Sequence, residues 1–558
     1  MNLRGYNDAF EFALAKNKRI WEKSYSDGVN YSFPIPNWTM KDCFNYWGNT
    51  QENTPYVIYR DITYSYGECN VKARKIANGL KKLGCKKDDR ILIYLPNNLD
   101  LILICQACFK LGLIVVIGNP LDTDYEVRRK MADCTARIVI VNEISAATMF
   151  KAMEDSRYNP QFIIYCGEDS IDLNTNKKIK KILTLSTIIQ ENNESEPVTN
   201  LNADDIQVLQ YTGGTTGFNK GCCHTNRGYI ANALGAKQLY AEVLESGDWS
   251  TLVALPMSHI AGFTTGITVN MVTGGTIVLM DGMRPSLQEV VEKIEKYKPT
   301  IWPAVPVQIN RYVNTPSLHQ YDLSSLKIIV CGAAPLPVET ILSFKKLTGI
   351  NINEGYGLTE ALRSVTLTPF CKYKQGKTGI PYPNVDVLIV DIERGTKVMP
   401  LGHEGEIIVR SPSIMKGYWE NQELTENQIK NGWLYTGDIG LLDEDGFLEI
   451  MDRKKDVIII SGFNVYPREI DEVLNTHSEI IDSCTVGIPD EEKGQVSKSY
   501  IVKKSGSNLS KEDIFEYCRQ YLTKYKIPKR IEFVDFIPMT KNNKPDRTIM
   551  IKGSPTGS

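Results

Sequence analysis

The chain has 558 residues, enough for roughly three to four packing units rather than one core. Its 42% apolar and 23% charged residues, with only 41 Gly and 26 Pro, exclude a disordered, low-complexity or fibrous protein. With 64 basic residues against 66 acidic ones, the net charge of −2 provides no positive field to hold a polyanion, which excludes nucleic acid as the principal partner.

The N-terminal run MNLRGYNDAFEFALAKNKRI lacks a basic-then-apolar signal segment, and 13 cysteines follow no repeated spacing. Reduced, buried thiols in a cytoplasmic protein are expected. The CxxC pair Cys105 and Cys108 lies in LDLILICQACFKLG, whose apolar character predicts core-facing thiols rather than a redox or zinc site. Residues 99–117 are the best membrane candidate, but Gln106 and Lys110 interrupt the run and Gly118 and Pro120 close it. A buried helix running into a strand is predicted, with no membrane span. The histidines show no HExxH spacing, which argues against a dedicated transition-metal site.

Between about residues 55 and 350, runs of Ile, Val and Leu recur with helix-length segments between them: RILIYLPN, RIVIVN, FIIYC, STLVALP, GTIVLM and LKIIVCG. These read as strands covered on both faces, in stacked α/β layers with mainly parallel sheets and function at the loops beyond strand ends. The polar stretch 186–204 reads as a surface connection and KKIKK (177–181) as a solvated face. After about 370, GIPYPNVDVLIVD, GTKVMPLGHEGEIIVRSP and DGFLEIMD predict a β-rich subdomain over about 376–451. Beyond residues 452–456, residues 457–552 carry two amphipathic helices and strands near SCTVGIP, SKSYIVKK and RIEFVDFI, with 553–558 as a tail. In the second helix Ile514, Phe515, Cys518, Tyr521, Leu522 and Tyr525 form the apolar stripe, started by Ser510 and Asp513 as a capping box. The predicted fold class is therefore α/β: a large N-terminal domain (1–451) of stacked α/β layers with a β-rich subdomain, plus a small mobile α+β C-terminal domain.

The sharpest chemical signal is YTGGTTGFNKG (211–221) after the apolar run IQVLQ. Its glycines permit close backbone approach, its threonines offer hydroxyls and Lys220 a charge, a combination suited to polyphosphate. The spacing is not that of a Walker A loop. In NEGYGLTE (353–360), Tyr356 offers an aromatic face, Thr359 a hydroxyl and Glu360 a hard oxygen ligand suited to Mg²⁺. In LYTGDIG (434–440), Asp438 suits the two hydroxyls of a ribose. DRKKDVIIISGFNVYPREIDEVL (452–474) and IPMTKNNKPDR (537–547), with Lys544 on a polar loop, follow.

In this order and spacing the stretches resemble the AMP-forming adenylating superfamily of acyl-CoA synthetases, peptide-synthetase adenylation domains and beetle luciferases, and are most similar to fatty-acyl or aryl-CoA synthetases. The resemblance covers residues 50–547. It implies that Thr212, Gly213, Gly214, Thr215, Thr216, Gly217 and Lys220 form the phosphate loop, with Asn219 in place of the usual proline. Gly332, Ala333 and Ala334 of CGAAP lie along adenine and the acyl group, Tyr356 and Gly357 meet adenine, Thr359 the α-phosphate, and Glu360 the metal. Asp438 and Arg453 hold the ribose, and Lys455 is the hinge. Ser461, Gly462 and Phe463 border the CoA path. Lys544 is the adenylation lysine, with Asn543 in place of the usual glycine, and Asn visits positive φ more easily than most residues.

The implied activity is an ATP- and Mg²⁺-dependent carboxylate:CoA ligase. A carboxylate attacks the α-phosphorus of ATP, releasing pyrophosphate, and the acyl adenylate then passes to CoA with release of AMP. The acyl pocket is expected from His259, Phe263, Trp302 and Val305, with Gly266, Pro303 and Pro306, and these side chains suggest a fatty or other apolar carboxylic acid. The alternatives are a free-standing adenylation enzyme that loads a carrier-protein thiol, and a catalytically degenerate nucleotide-binding protein. Asn219 and Asn543 are the features that favour the degenerate protein.

Overall fold

A computed structural model describes residues 10–11, 14, 19–154, 156, 158–167, 181–212, 220–245, 247–334, 336–460, 463–490, 494–540 and 544–553. KKIKK falls outside these residues except for the backbone of Lys181, as do 554–558 of the tail.

The apolar runs are the strands of two large sheets. Among the described residues one sheet has eight strands and the other nine; both are parallel at the centre, the nine-stranded sheet is antiparallel at both edges and the eight-stranded one at a single edge. Strand Arg90–Tyr94 shows why its sequence is continuously apolar. Ile91 and Ile93 enter a core shared with helices Met40–Thr50, Tyr66–Lys82 and Leu99–Leu111, while Leu92 and Tyr94 enter a second core with Val127, Met131 and Met149. The nine-stranded sheet is likewise covered twice, since strand Ile301–Ala304 sends Ile301 to one core and Trp302 and Ala304 to another. Both faces of both sheets being apolar, helices must cover them, and layered helix and sheet results.

Helix Leu99–Leu111 runs through left-handed Gly112 (φ 68) into strand Ile114–Ile117. Cys105 and Cys108 are buried, and burial pushes both thiols up. Among the described residues no helix is long and apolar enough to cross a membrane. Lys110 is fully buried, not solvated. Its Nζ lies 2.8 Å from Glu196, which also pairs with Lys41 and Arg74. The stretch 186–204 is thus more than a surface connection: it starts within helix Leu185–Glu191 and then delivers the carboxylate that neutralises a buried lysine.

Strands Asp386–Val390, Gly405–Arg410, Trp433–Leu442 and Leu448–Arg453 form an antiparallel sheet beside the nine-stranded one. Beyond it, strands Ile480–Asp490, Gly494–Lys503 and Arg530–Phe533 carry helices Pro467–Asn475 and Lys511–Tyr521. Their buried clusters draw only on residues from 458 onward. Ser510 and Asp513 close the capping box at the second helix. Ile514, Cys518 and Leu522 are buried, but Tyr521 and Tyr525 are exposed, because the helix ends at Tyr521 and the stripe loses its period there.

Candidate active site

The putting together of the cleft starts at strand ends. Strand Ile206–Tyr211 pairs antiparallel with Gly221–Thr225, and the Thr212 N–H donates to the Lys220 carbonyl at 2.9 Å, closing the base of the phosphate-loop candidate. Gly213, Gly214, Thr215, Thr216, Gly217 and Asn219 lie outside the described residues. The Lys220 ammonium sits 5.1 Å from the centroid of the Tyr418 ring, and the Tyr418 hydroxyl donates to Glu360 Oε1 at 2.9 Å. Tyr418 therefore ties Lys220 to Glu360. No motif spacing marks it. It arrives because strand Gly417–Tyr418 pairs with Gly221–Thr225, a contact between distant segments.

Gly332, Ala333 and Tyr356 follow or end neighbouring parallel strands, Ile328–Cys331 and Ile352–Tyr356. Ala333 is exposed in the left-handed region (φ 73), Ala334 is exposed beside it, and a Cβ on Gly332 would lie 2.7 Å from the Gly355 carbonyl. A Cβ on Gly357 would meet the Arg363 carbonyl at 1.8 Å, so the glycine of the GYG run is a close-approach requirement. Tyr356 donates its hydroxyl to Asp438 Oδ2 at 2.6 Å. Asp438 opposes Arg453 across the antiparallel pair, with Arg453 Nε 3.6 Å from Oδ1. Loss of water raises the Asp438 pKa, while Arg453, the Tyr356 hydroxyl and Lys544 oppose the rise.

Lys544 comes to this cleft from the C-terminal region. Thr540 N–H donates to the Lys544 carbonyl at 2.7 Å, and Lys544 N–H to Thr540 Oγ1 at 3.3 Å, closing a tight loop whose residues 541–543, including Asn543, lie outside the described ones. Withdrawal from bulk water and the Arg453 guanidinium lower the Lys544 pKa, and the Asp438 carboxylate opposes them. Lys544 also adds to the burial that pulls His259 down to about 4, so that imidazole is neutral at neutral pH. The loop is anchored from behind by Arg547, whose guanidinium reaches Asp452 at 3.3 Å, Asp456 at 3.5 Å and Asp471 at 3.0 Å. Lys455 lies in the turn after Arg453, its pKa lowered by partial burial. Ser461 and Gly462 are outside the described residues; the Phe463 backbone pairs with Ile460.

The residues expected to line the acyl pocket are placed as follows. Trp302 is fully buried on the far face of strand Ile301–Ala304, because its neighbours Ile301 and Pro303 occupy the near face and side chains alternate. The near face borders a cavity of ≈ 20 Å³, room for about one water, against helix Asn226–Tyr240. Asn232, Tyr240, Thr265, Pro303, Arg363 and Tyr382 are among its walls. His259 caps Ile260–Phe263 by accepting the Ala261 N–H at Nδ1, 3.2 Å. Phe263 is buried 6.0 Å from the Tyr229 ring, and Val305 precedes helix Pro306–Val313. Arg363 and the aromatic walls were not anticipated, since they converge from separate segments.

For a metal, the described residues hold no cluster of three or more His, Cys, Asp or Glu. Glu360 has one oxygen engaged by Tyr418 and no partner on the other among the described residues. A single carboxylate fits a Mg²⁺ ion otherwise held by phosphates and water.

Two stacked sheets, a β-rich subdomain and a C-terminal lobe that lends a lysine to the cleft constitute the adenylate-forming fold. The sequence model described as AMP-binding enzyme matches residues 44–419, and that described as AMP-binding enzyme C-terminal domain matches 469–544. Curated long-chain-fatty-acid–CoA ligases from Bacillus subtilis (strain 168) and Yersinia pestis are each 32% identical, covering 94% of this chain and 96% of their own. A crystal structure of the anthranilate CoA ligase AuaEII in complex with anthranoyl-AMP shares the fold at TM-score 0.83 and 24% identity, over 93% of this chain and 97% of that one. The chain belongs to the AMP-binding enzyme family.

Proposed function

We propose that this protein is an ATP-dependent carboxylate:CoA ligase that forms an acyl adenylate and then an acyl-CoA. The observation that carries the reading is the convergence of Lys544 with Asp438, Arg453 and His259 in one cleft, from three separate stretches of the chain. Full-length similarity to CoA ligases supports CoA as the acceptor rather than a carrier protein. The chain is read as a large lobe (1–451), a hinge at 452–456 about Lys455, and a mobile lobe over 457–552.

In the first half-reaction the substrate carboxylate, already ionised at neutral pH, attacks the α-phosphorus, and the bond to the bridging oxygen of pyrophosphate breaks. Tyr356 and Gly332 to Ala334 receive the adenine, Asp438 and Arg453 the ribose, Thr359 the α-phosphate, and the 212–217 loop with Lys220 the outgoing phosphates. Lys544 offsets the charge that develops at the reacting phosphate, a preorganised electrostatic role. Mg²⁺ on the free oxygen of Glu360 supplies charge neutralisation on the phosphates when bound. In the second half-reaction the C-terminal lobe turns, Lys544 leaves and the Ser461 to Phe463 segment borders the thiol's path. The thiol sulfur bonds to the acyl carbon as the carbon–oxygen bond to AMP breaks. His259, Phe263 and Val305 shape the acyl side.

The test is incubation of an acid panel with ATP, Mg²⁺ and CoA, following pyrophosphate, AMP and thioester. Equimolar AMP and acyl-CoA are expected. Pyrophosphate without thioester would transfer the reading to carrier-protein loading, and no isotope exchange between pyrophosphate and ATP with any acid would sink it.

A further inference from the structure

Asp452 lies in strand Leu448–Arg453, where it pairs with Ile439 of strand Trp433–Leu442, so the large lobe holds it still. Its carboxylate is buried, and most of what satisfies it comes from beyond the hinge. Oδ1 accepts the neighbouring Arg453 N–H at 2.8 Å, but Oδ2 accepts the Arg468 N–H at 2.8 Å and Oδ1 meets the Arg547 guanidinium at 3.3 Å. That guanidinium also lies 3.5 Å from Asp456, on the far side of Lys455.

Arg547 itself is fixed within the C-terminal lobe. It reaches Asp471 of helix Pro467–Asn475 at 3.0 Å and opens helix Arg547–Lys552, whose Met550 is buried with Cys484, Val486 and Tyr500. The Tyr500 hydroxyl donates to the Met550 carbonyl at 2.7 Å. Three residues before Arg547 stands Lys544, in a loop closed by the Asp546 N–H on the Pro538 carbonyl at 2.8 Å. A turn about Lys455 keeps the Arg547–Asp471 pair, because both partners travel together, and parts Arg547 from Asp452. An ion pair made in only one of two arrangements biases the equilibrium toward that arrangement. Water can replace the guanidinium once the lobes separate, so the contact is reversible.

We infer that Arg547 is a positioning residue for the first half-reaction: it grips Asp452 across the hinge to hold Lys544 at the cleft, and releases it when the lobe turns for the second. This rests on the ligase reading above and on the turn about Lys455.

The experiment uses the full chain, wild type and with Arg547→Gln, Arg547→Lys, Asp452→Asn and the Arg547→Gln/Asp452→Asn pair. Burial pushes Asp471 up to about 7 while Arg547 opposes the rise, so without the guanidinium this carboxyl takes up a proton near neutral pH and no unpaired charge is left inside the lobe. Isotope exchange between pyrophosphate and ATP should slow about tenfold in Arg547→Gln and in Asp452→Asn, the weight of one charged hydrogen bond. The pair should be no slower than the worse single variant, and Arg547→Lys should keep part of the rate. Thioester formation from synthetic acyl adenylate and CoA should be unchanged or faster. Deuterium uptake read without substrate should rise over residues 463–470 in Arg547→Gln, which leaves both partners of the Arg468–Asp452 bond in place, and stay at the wild-type level in strand Gly494–Lys503. Equal loss in both half-reactions, or uptake that rises through Gly494–Lys503 as well, overturns the inference, since the arginine would then only hold the lobe together. If the wild type shows no isotope exchange with any acid yet 463–470 open in Arg547→Gln, the ligase reading falls and the grip on Asp452 stands. If the wild type makes acyl-CoA and the variants keep its ratio of half-reaction rates, the ligase reading stands and the grip falls.

Discussion

Around Tyr356 and Asp438 the cleft stands on strands that root in the apolar clusters of the large lobe, whereas the segment bearing Lys544 is held to that lobe by polar contacts. The large-lobe strands share continuous clusters of Val, Ile, Leu and aromatic residues. Across the lobe boundary the described contacts include Tyr466 to Glu404 at 2.6 Å and Arg468 to the Ile450 carbonyl at 3.0 Å, while Arg468 N–H at 2.8 Å and Arg547 meet Asp452 of the hinge. An apolar interface loses free energy in proportion to the area that parts, but polar contacts at a surface are exchanged for water at small net cost. On the proposed reading the difference teaches that the nucleotide groove is the rigid template, and the lysine a visitor that a polar boundary allows to withdraw.

Substitutions in the two regions should separate the plans. The largest effect is expected at Trp302, fully buried on the face away from the cavity. Trp302→Ala should cost about 3–5 kcal/mol in denaturant unfolding while leaving the order of preferred acids unchanged; an altered preference would return Trp302 to the acyl wall. Next, Lys544→Ala should slow adenylation by about 10²–10³, as loss of one preorganised donor does. Thioester formation from synthetic acyl adenylate should stay within a few-fold, and equal loss in both half-reactions would break the contrast between template and visitor.

A third effect is read in pH. Burial pushes His224, behind Thr359, down to about 3 from 6.5, and neither ring nitrogen has a hydrogen-bond partner of normal geometry among the described residues. The unfolded chain binds this proton first as pH falls, so the folded state loses stability from 6.5 downward until about 3. At pH 5 the loss is about 2 kcal/mol. His224→Leu should remove it, so the mutant's unfolding midpoint should fall less between pH 8 and pH 5. The smallest effect is expected at Tyr356→Phe, which deprives Asp438 of its hydroxyl donor and should weaken ATP binding about tenfold, measured by calorimetry. No change would make the Tyr356–Asp438 bond incidental to the template.

Much of this was legible beforehand. RILIYLPN, RIVIVN and LKIIVCG became strands Arg90–Tyr94, Ile138–Val141 and Ile328–Cys331, because an unbroken apolar run can be satisfied only by burial on both faces. The motif residues Tyr356, Asp438, Arg453 and Lys544 could be named because the short stretches that carry them resemble those of the adenylating superfamily. The face on which Trp302 lies was not readable, because which face of a strand meets a cavity depends on what packs on each side. Tyr418 and Arg363 carried no local signal, and Glu196 read as one more surface charge until Lys110 was found buried against it.

What the amino-acid order determined by itself was local: strand and helix periods, the capping box at Ser510, and the chemical type of each motif residue. Those depend on neighbours a few positions away. The tertiary structure alone decided which side chains share a space, bringing Tyr418 to Glu360, Lys544 to Asp438 and Arg363 to the cavity. Such meetings are set by packing between segments far apart in the chain, and pairing across that distance leaves no period for a sequence to display.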